Sequence, residues 1–595
     1  LPYIPEIRND AEYFVKIQFL LKEDKPWAKK GYVIAEEQIA IKEEAERPSI
    51  AEVTASSEPI RTEGLETDKK LISIRGKGFE VIFDKSKGTI HQLDYNGKTV
   101  IKEGKGPKLD AFRAFVNNDN WIFASWFENG LHNLQHKVTG FRAKNNKDGT
   151  LTLLFTIESQ APCGATIHGG MYSGRNSIEE RTTQPFEESD FKFTSNLAWN
   201  IYKDGSIELA SSIVSNRPET ILPRLGYAME IPERFNDFTY YGRGPIDNYS
   251  DRKSSQFTEI HKSKVADEFV PFPKPQNTGN HEDVRWCALT DDEGEGVLFI
   301  ARAPLAVSAL PYSALDMTLA SHPYQLKKTG STFLHLDCGV TGLGGCSCGP
   351  IPLKKDQITA GHHTMGFIIR PAGGDLSQRA CVKATSRIPL SITRNRMGKI
   401  EIISSDTMEV LYTIGDSKPR RYEAPFPLVE GGAITAWEQK NPSSKTSITF
   451  GKMPNINAQA VYASSEEPGE GNASHLTDGD LNTIWHTMYS VTQAKYPHWV
   501  DLDTGEERTL KGITYYPRQD NSNGNVKDYA IYVSQDGKIW GKPICKGSFE
   551  NTQNEKKVLF PSPIKARFVR FMALSEQYGN DYASGAEITV LEEQK

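Results

Sequence analysis

Apolar residues alternate with polar ones along most of the chain, and runs at helical spacing are nearly absent. Phe79, Val81 and Phe83 alternate, as do Leu151, Leu153, Phe155 and Ile157, and Ile207, Leu209 and Ile213 follow a similar pattern. That period of two predicts strands with one buried face. Turn signals stand between the runs. Asn96-Gly97 suits the primed turns that match strand twist, and Asp148-Gly149 and Asp204-Gly205 precede further strands. From Lys70 to about Gly374 the chain reads as one very large antiparallel sandwich. The β/α alternation of a parallel barrel is missing there.

Near the start, Tyr13 to Leu21 alternates as a strand, and Trp27-Ala-Lys-Lys-Gly31 leads into a second apolar run ending at Gln38. Residues 46–66 read as a polar linker. Residues 379–452 form a smaller β unit, and residues 455–595 a further one. The fold class is all-β, with units at 1–66, 67–375, 379–452 and 455–595. A chain of 595 residues suits about three to five domains.

Composition narrows the function classes. The net charge of −6 gives no basic excess, so nucleic acid is not an expected partner. No run of 18 apolar residues exists, so no helical membrane span is expected. The seven cysteines are sparse, and Cys346-Ser-Cys348 is too tight for the usual zinc spacing. Most are expected to be small buried hydrophobes, with a disulfide left open.

Four stretches carry a resemblance. Tyr240-Tyr-Gly-Arg-Gly-Pro-Ile-Asp-Asn-Tyr-Ser-Asp-Arg252 comes first, then Asn277-Thr-Gly-Asn-His-Glu-Asp-Val-Arg-Trp286, Ser321-His-Pro-Tyr324 and Gly342 to Pro350. Together they resemble the large C-terminal sandwich of family 2 glycoside hydrolases of the β-galactosidase type. The resemblance implies a galactose-mutarotase-like supersandwich over residues 67–375. It also makes residues 1–66 half of an immunoglobulin-like domain plus linker, with poor order or altered packing expected where the other half is missing. In lactose-cleaving relatives the loop matching Gly342–Pro350 carries a sugar-stacking Trp, whereas this chain has Cys346 and Cys348. Asn277, Asn280, His281 and Arg285 could face substrate or simply fix their loop. Residues 379–452, with Leu411-Tyr-Thr-Ile414 and Gly431-Gly432, resemble the small sandwich at the C-terminus of chitobiase-like enzymes.

Residues 455–595 resemble an F5/8 type C, or discoidin, domain of carbohydrate-binding family 32, a jelly roll of the galactose-binding type. The match rests on Ala473 to Trp485, Trp499-Val-Asp-Leu502, Tyr532 to Trp540 and Ala586-Glu-Ile588.

Three kinds of chemistry follow. Retaining glycoside cleavage needs two carboxyl groups about 5–5.5 Å apart. Family 2 enzymes carry both on a barrel that is absent here, so no catalytic residue is assigned and this chain alone is expected to be inactive. Asn554-Glu555 matches the family's Asn-Glu only superficially, because it lies in the discoidin segment. Second, Asp478-Gly-Asp480 with Thr483 packs oxygens into six residues, a pattern suited to Ca2+. The resemblance adds the carbonyls of His475 and Ala586, and Glu587. A plain Asp-Gly turn is the alternative. Third, the resemblance implies a galactose-type sugar pocket built from His486, Arg518 and Asn525, with Tyr489 and Tyr578 as the aromatic surface and Tyr582 as a weaker candidate. His486 could instead cap a loop and Arg518 be solvated, and Trp485 and Trp540 read as core.

The expectation is an accessory, carbohydrate-binding C-terminal portion of a β-galactosidase-like hydrolase, bacterial and periplasmic, secreted or at the cell surface. Its partners would be galactose-type glycans and the missing catalytic barrel. Two alternatives stand beside it: a stand-alone glycan-binding or adhesion protein, and a polysaccharide lyase or mutarotase-like enzyme that uses the large sandwich.

Overall fold

The computed structural model describes residues 6–593, apart from 66–68, 171–175, 182–187, 189, 405–407 and 457. The chain is all-β. Every ladder between its described strands is antiparallel, and no described α-helix exceeds six residues.

The expected turns form as the sequence dictates. Thr89–Tyr95 and Lys98–Ile101 are joined through Asn96 and Gly97, at φ 51 and 76. Both residues are left-handed, as a primed hairpin turn requires. Gly149 and Gly205, at φ 83 and 85, make the two later turns.

The large sandwich joins a 12-stranded sheet to a five-stranded one built from Arg61–Glu63 through Lys98–Ile101. Their inner faces meet in one aromatic-rich core. The Phe83 ring meets Trp199 edge-on at 5.6 Å, and Phe367 lies against Trp199, Tyr227 and Phe299. The Tyr95 hydroxyl crosses between layers to the Gly205 carbonyl at 2.8 Å.

The first unit is a two-stranded hairpin, Tyr13–Leu20 with Val33–Lys42. Its apolar side chains stand in solvent, with Phe19 65% and Trp27 66% exposed. Polar bonds fix it to the sandwich. Glu12 accepts from Arg47 (2.9 Å), Tyr241 (3.0 Å) and Arg285 (3.1 Å), and the Gln38 amide clasps the Thr258 backbone. Residues 1–5 and 66 of the predicted first unit lie outside the described residues.

The linker reading of residues 46–66 is corrected. Ser49 and Glu52 form a reciprocal capping box that starts a helix at Ile50–Thr54. Ile50 is fully buried in a cluster with Trp286 and Ile368, and Arg61–Glu63 pairs with Leu71–Gly76. Backbone bonds between Ile50, Pro48 and Lys383 hold the docked segment in place.

The smaller unit has a three-stranded and a four-stranded sheet around Ile392, Ile400 and Ile434, with Tyr412 stacked on Phe426 at 4.7 Å. The last unit is built on a seven-stranded sheet whose core includes Trp485, Val500, Leu502 and Tyr515, all fully buried.

Cysteine use differs from expectation. All seven are free, and only Cys287 is buried, while Cys348 is exposed. The turn after Gly244 also has a clear job. Asp251 accepts from the Leu343 and Gly344 amides, so the first resembling stretch holds the Gly342–Pro350 loop in place. The substrate-facing reading of Asn277, Asn280 and His281 is corrected too. These side chains are buried and bond inward: Asn277 to Tyr249, Asn280 to the Asn248 carbonyl, and His281 to Tyr240 and Glu268.

Candidate functional site

At one end of the last unit, the short strand Trp485–His486 pairs with Ser584–Gly585. Trp485 anchors it from the core, donating its indole N–H to the Ser465 carbonyl at 3.0 Å. This confirms the core reading of Trp485. The core reading of Trp540 is corrected: it is half-buried outside the apolar core, with the Arg570 guanidinium 4.2 Å from its ring centre.

The anchor sets His486. Its ring is buried, and Nδ1 lies 2.6 Å from the Thr487 carbonyl. A carbonyl can only accept, so Nδ1 carries the proton and Nε2 is left as an acceptor. Burial holds the imidazole pKa below its usual value, which keeps it neutral. Nε2 faces the loop after Tyr516, with the Asn523 amide 3.4 Å away. Tyr489 stands edge-on to the imidazole at 5.1 Å and Tyr582 lies 5.5 Å from it. Tyr489 is about half exposed and its hydroxyl donates to Glu470 at 2.9 Å.

Arg518 sits close enough to His486 and Tyr489 for its charge to act on both. Its Nε and Nη2 donate to the two Asp520 oxygens, each at 2.7 Å. That pairing fixes the guanidinium plane and leaves Nη1 as the unengaged end of the fork. Asn525 is 2% exposed, and neither atom of its side-chain amide has a partner among the described residues. Tyr578, 62% exposed, meets the same loop through Ser522 and takes a 2.9 Å bond from Asn551. The structure therefore gathers His486, Tyr489 and Arg518 in one place. Asn525 and Tyr578 flank the loop that completes it. Sequence reasoning missed Asp520 and Asn523. The loop holds three asparagines in five residues, and nothing in their spacing tells the one facing His486 from the others.

The second predicted set lies at the loop after Ala473–Thr477. The Asp478 carboxylate accepts from the Asp480 amide (2.9 Å) and the Thr483 hydroxyl (2.8 Å). Glu587, from the last strand, accepts from the Gly479 amide at 2.8 Å. Burial, with Asp478 and Asp480 nearby, pushes the Glu587 carboxyl up to about 7. The Ala586 amide is tied to the Tyr516 carbonyl, and the His475 imidazole to the Ile484 carbonyl at 2.8 Å. Among the described residues, no three His, Cys, Asp or Glu groups are gathered to hold a metal. The predicted set depends instead on carbonyls and a hydroxyl beside its acids. All of these are hard oxygen donors, so in donor chemistry the set fits Ca2+.

The Asn-Glu pair near the C-terminus belongs to an interface. Asn554 bonds to Ser125 and Glu128 of the large sandwich, and Glu555 pairs with Arg217 and accepts from the Tyr516 hydroxyl at 3.0 Å.

Comparison with known proteins places these units. Residues 75–369 match the β-galactosidase small-chain family, residues 1–42 β-galactosidase domain 4, and residues 460–588 the F5/8 type C domain. A β-galactosidase of Priestia megaterium is 26% identical over 341 residues, which is 57% of this chain and 30% of that protein. A sialidase of Micromonospora viridifaciens is 36% identical over 162 residues, 27% of this chain and 25% of that protein. A family 32 module of Clostridium perfringens, solved with GalNAc-β-1,3-galactose, shares 34% identity over 23% of this chain and 95% of that one, with a TM-score of 0.21. The chain thus spans 30% of the length of the Priestia protein. It belongs with the C-terminal region of family 2 β-galactosidase-type proteins and carries an F5/8 type C domain after the small-chain sandwich.

Proposed function

We propose that this chain is the accessory part of an extracytoplasmic β-galactosidase-like hydrolase and that its last unit binds galactose-type glycans. The observation that carries the reading is the set of polar groups at this end of the unit: Nη1 of Arg518 and the buried amide of Asn525, neither with a partner among the described residues, and a His486 Nε2 held by one long 3.4 Å contact from the Asn523 amide. A buried amide without partners costs about 1–3 kcal/mol, and sugar hydroxyls, which both donate and accept, are suited to relieve that cost. Tyr489 and Tyr578 supply apolar ring faces for the C–H side of a pyranose. The neutral imidazole accepts from one hydroxyl while Arg518, held flat by Asp520, donates to the next.

His475, Asp478, Asp480, Thr483, Ala586 and Glu587 would hold Ca2+. The ion would tie the first loop to the last strand and add its binding energy to folding. Bond cleavage is assigned to the barrel of the complete protein. Titration calorimetry of the chain with galactose, N-acetylgalactosamine and glucose tests the reading. Galactose-type sugars should bind, and Arg518→Ala should abolish the signal with the fold intact. Binding unchanged in that variant places the pocket elsewhere. Turnover of nitrophenyl galactoside by the purified chain would overturn the accessory role.

A further inference from the structure

A cleft of about 780 Å³ opens between the outer face of the large sandwich and the smaller unit. Its floor is a three-strand ladder. Register places Lys144 across from Thr152 and Asn200, Arg142 across from Leu154 and Ala198, Gly140 across from Thr156 and Asn196, and Lys137 across from Glu158. Leu151, Leu153 and Phe155 of the central strand are buried on the inner face, so this set shares the outer one. Residues 386–389, Asn441 and residues 444–449 of the smaller unit form the roof, where Lys445 adds a further cation above the Trp437 ring.

Lys137, Arg142 and Lys144 have no hydrogen-bond or ion-pair partner among the described residues. The cleft's acids are already engaged: Glu158 by Lys192 at 2.7 Å, and Glu188 by Arg394 at 3.1 Å. The cleft walls desolvate Arg142 and hold its guanidinium below the usual range. Lysines on an edge strand often serve only to block unwanted strand pairing. That role needs no roof. Within the polar strip Thr152 donates to Asn200 Oδ1, and the Asn200 amide donates to Ser386 at 2.7 Å, which ties floor to roof. Thr156 donates to Asn196 Oδ1 at 2.8 Å, which turns the Asn196 amide N–H groups away from that hydroxyl. A threonine and asparagine row beside a row of cations, with Lys445 in the roof, matches a chain that carries both hydroxyls and negative charges.

We infer that this cleft is a second glycan site, for an acidic oligosaccharide bearing carboxylate or sulfate groups. It is separate from the pocket around His486 and does not depend on it. An acidic peptide fits less well. A peptide strand would pair with the open backbone edge of Gln135–Asn145, whereas the cations and the polar strip lie on the face.

The test uses the full chain with tetragalacturonate, its neutral methyl ester and hexaglutamate, at low ionic strength where surface charges are least screened. Tetragalacturonate should bind, and the K137Q/R142Q/K144Q variant should bind it at least about tenfold more weakly. The three residues are exposed, so the variant should keep its melting temperature. Arg518→Ala should leave this binding intact, which separates the two sites. The inference is overturned if the triple variant binds as tightly as the parent chain, or if the methyl ester or hexaglutamate binds equally well. It is also overturned if tetragalacturonate does not bind.

Discussion

Lys556 of the terminal unit places its ammonium 2.8 and 2.9 Å from the two oxygens of Glu128 on the large sandwich. Both side chains are almost fully buried, and Thr552 and Asn554 donate to the same carboxylate. A buried ion is stable only while its partner remains. Lys556→Met should therefore cost about 3 kcal/mol, and the Glu128→Gln/Lys556→Met double variant should recover much of that loss. Scanning calorimetry reads both. The single variant should split the terminal unit from the sandwich as a separate, earlier transition, and a single unshifted transition would remove the junction's importance.

The same pair sets a pH dependence. Burial alone would raise the Glu128 carboxyl, but Lys556 and Arg181 outweigh it and hold its pKa below the usual glutamate range. A carboxyl depressed in the folded state contributes stability that is present above its unfolded pKa and lost as pH falls through the folded one. Docking of the terminal unit should therefore hold above about pH 4.5 and weaken below it. Limited proteolysis across pH 3–6 checks this, with cleavage at the 452–455 connection rising at the acid end. Glu128→Gln should flatten the profile.

Two glycines separate backbone strain from crowding. At Gly97, φ is 76 and a Cβ would meet nothing within 4 Å, so Gly97→Ala should cost only the left-handed penalty, about 1 kcal/mol. At Gly106 a Cβ would lie 1.9 Å from the Ile90 carbonyl oxygen, so Gly106→Ala must move the backbone and should cost about 3 kcal/mol. Urea denaturation of the two variants should rank them in that order.

Legibility tracked how local the cause was. The Asn96-Gly97 turn is written in two adjacent residues, and Trp485-His486 in a core anchor next to its polar neighbour. Both were readable. The docking of Ile50 depended on a hole shaped by Trp286 and Ile368, hundreds of residues away, and so the segment read as a linker. Asn277 and His281 looked like rim residues because polar side chains usually face water. Their partners Tyr249 and Glu268 lie in other segments, the latter ending the short helix Val265–Glu268, and only the fold shows that each is satisfied inside. The charge row of Lys137, Arg142 and Lys144 was invisible for a related reason. A β-bulge between Val138 and Gly140 puts residues of odd and even number on one face.

The calcium reading makes the most direct claim on stability. Asp478 and Asp480 of the loop act on Glu587 of the last strand, and Arg396 supplies a countercharge, with its guanidinium bonded to the Gly479 carbonyl at 2.9 Å. Removing a divalent cation would leave those acids less well compensated and free the first loop from the last strand. A ligand at one hundred times its dissociation constant adds about 2.7 kcal/mol. Chelation should therefore lower the melting temperature of the terminal unit by several degrees, and added Ca2+ should restore it where Mg2+, which prefers a tighter octahedron, does so poorly. Asp480→Ala should melt at the chelated value with or without Ca2+, and galactose binding at His486 should persist in it. A parent chain whose melting is the same with chelator and with Ca2+ would reduce the Asp478–Thr483 segment to a turn held by its own hydrogen bonds.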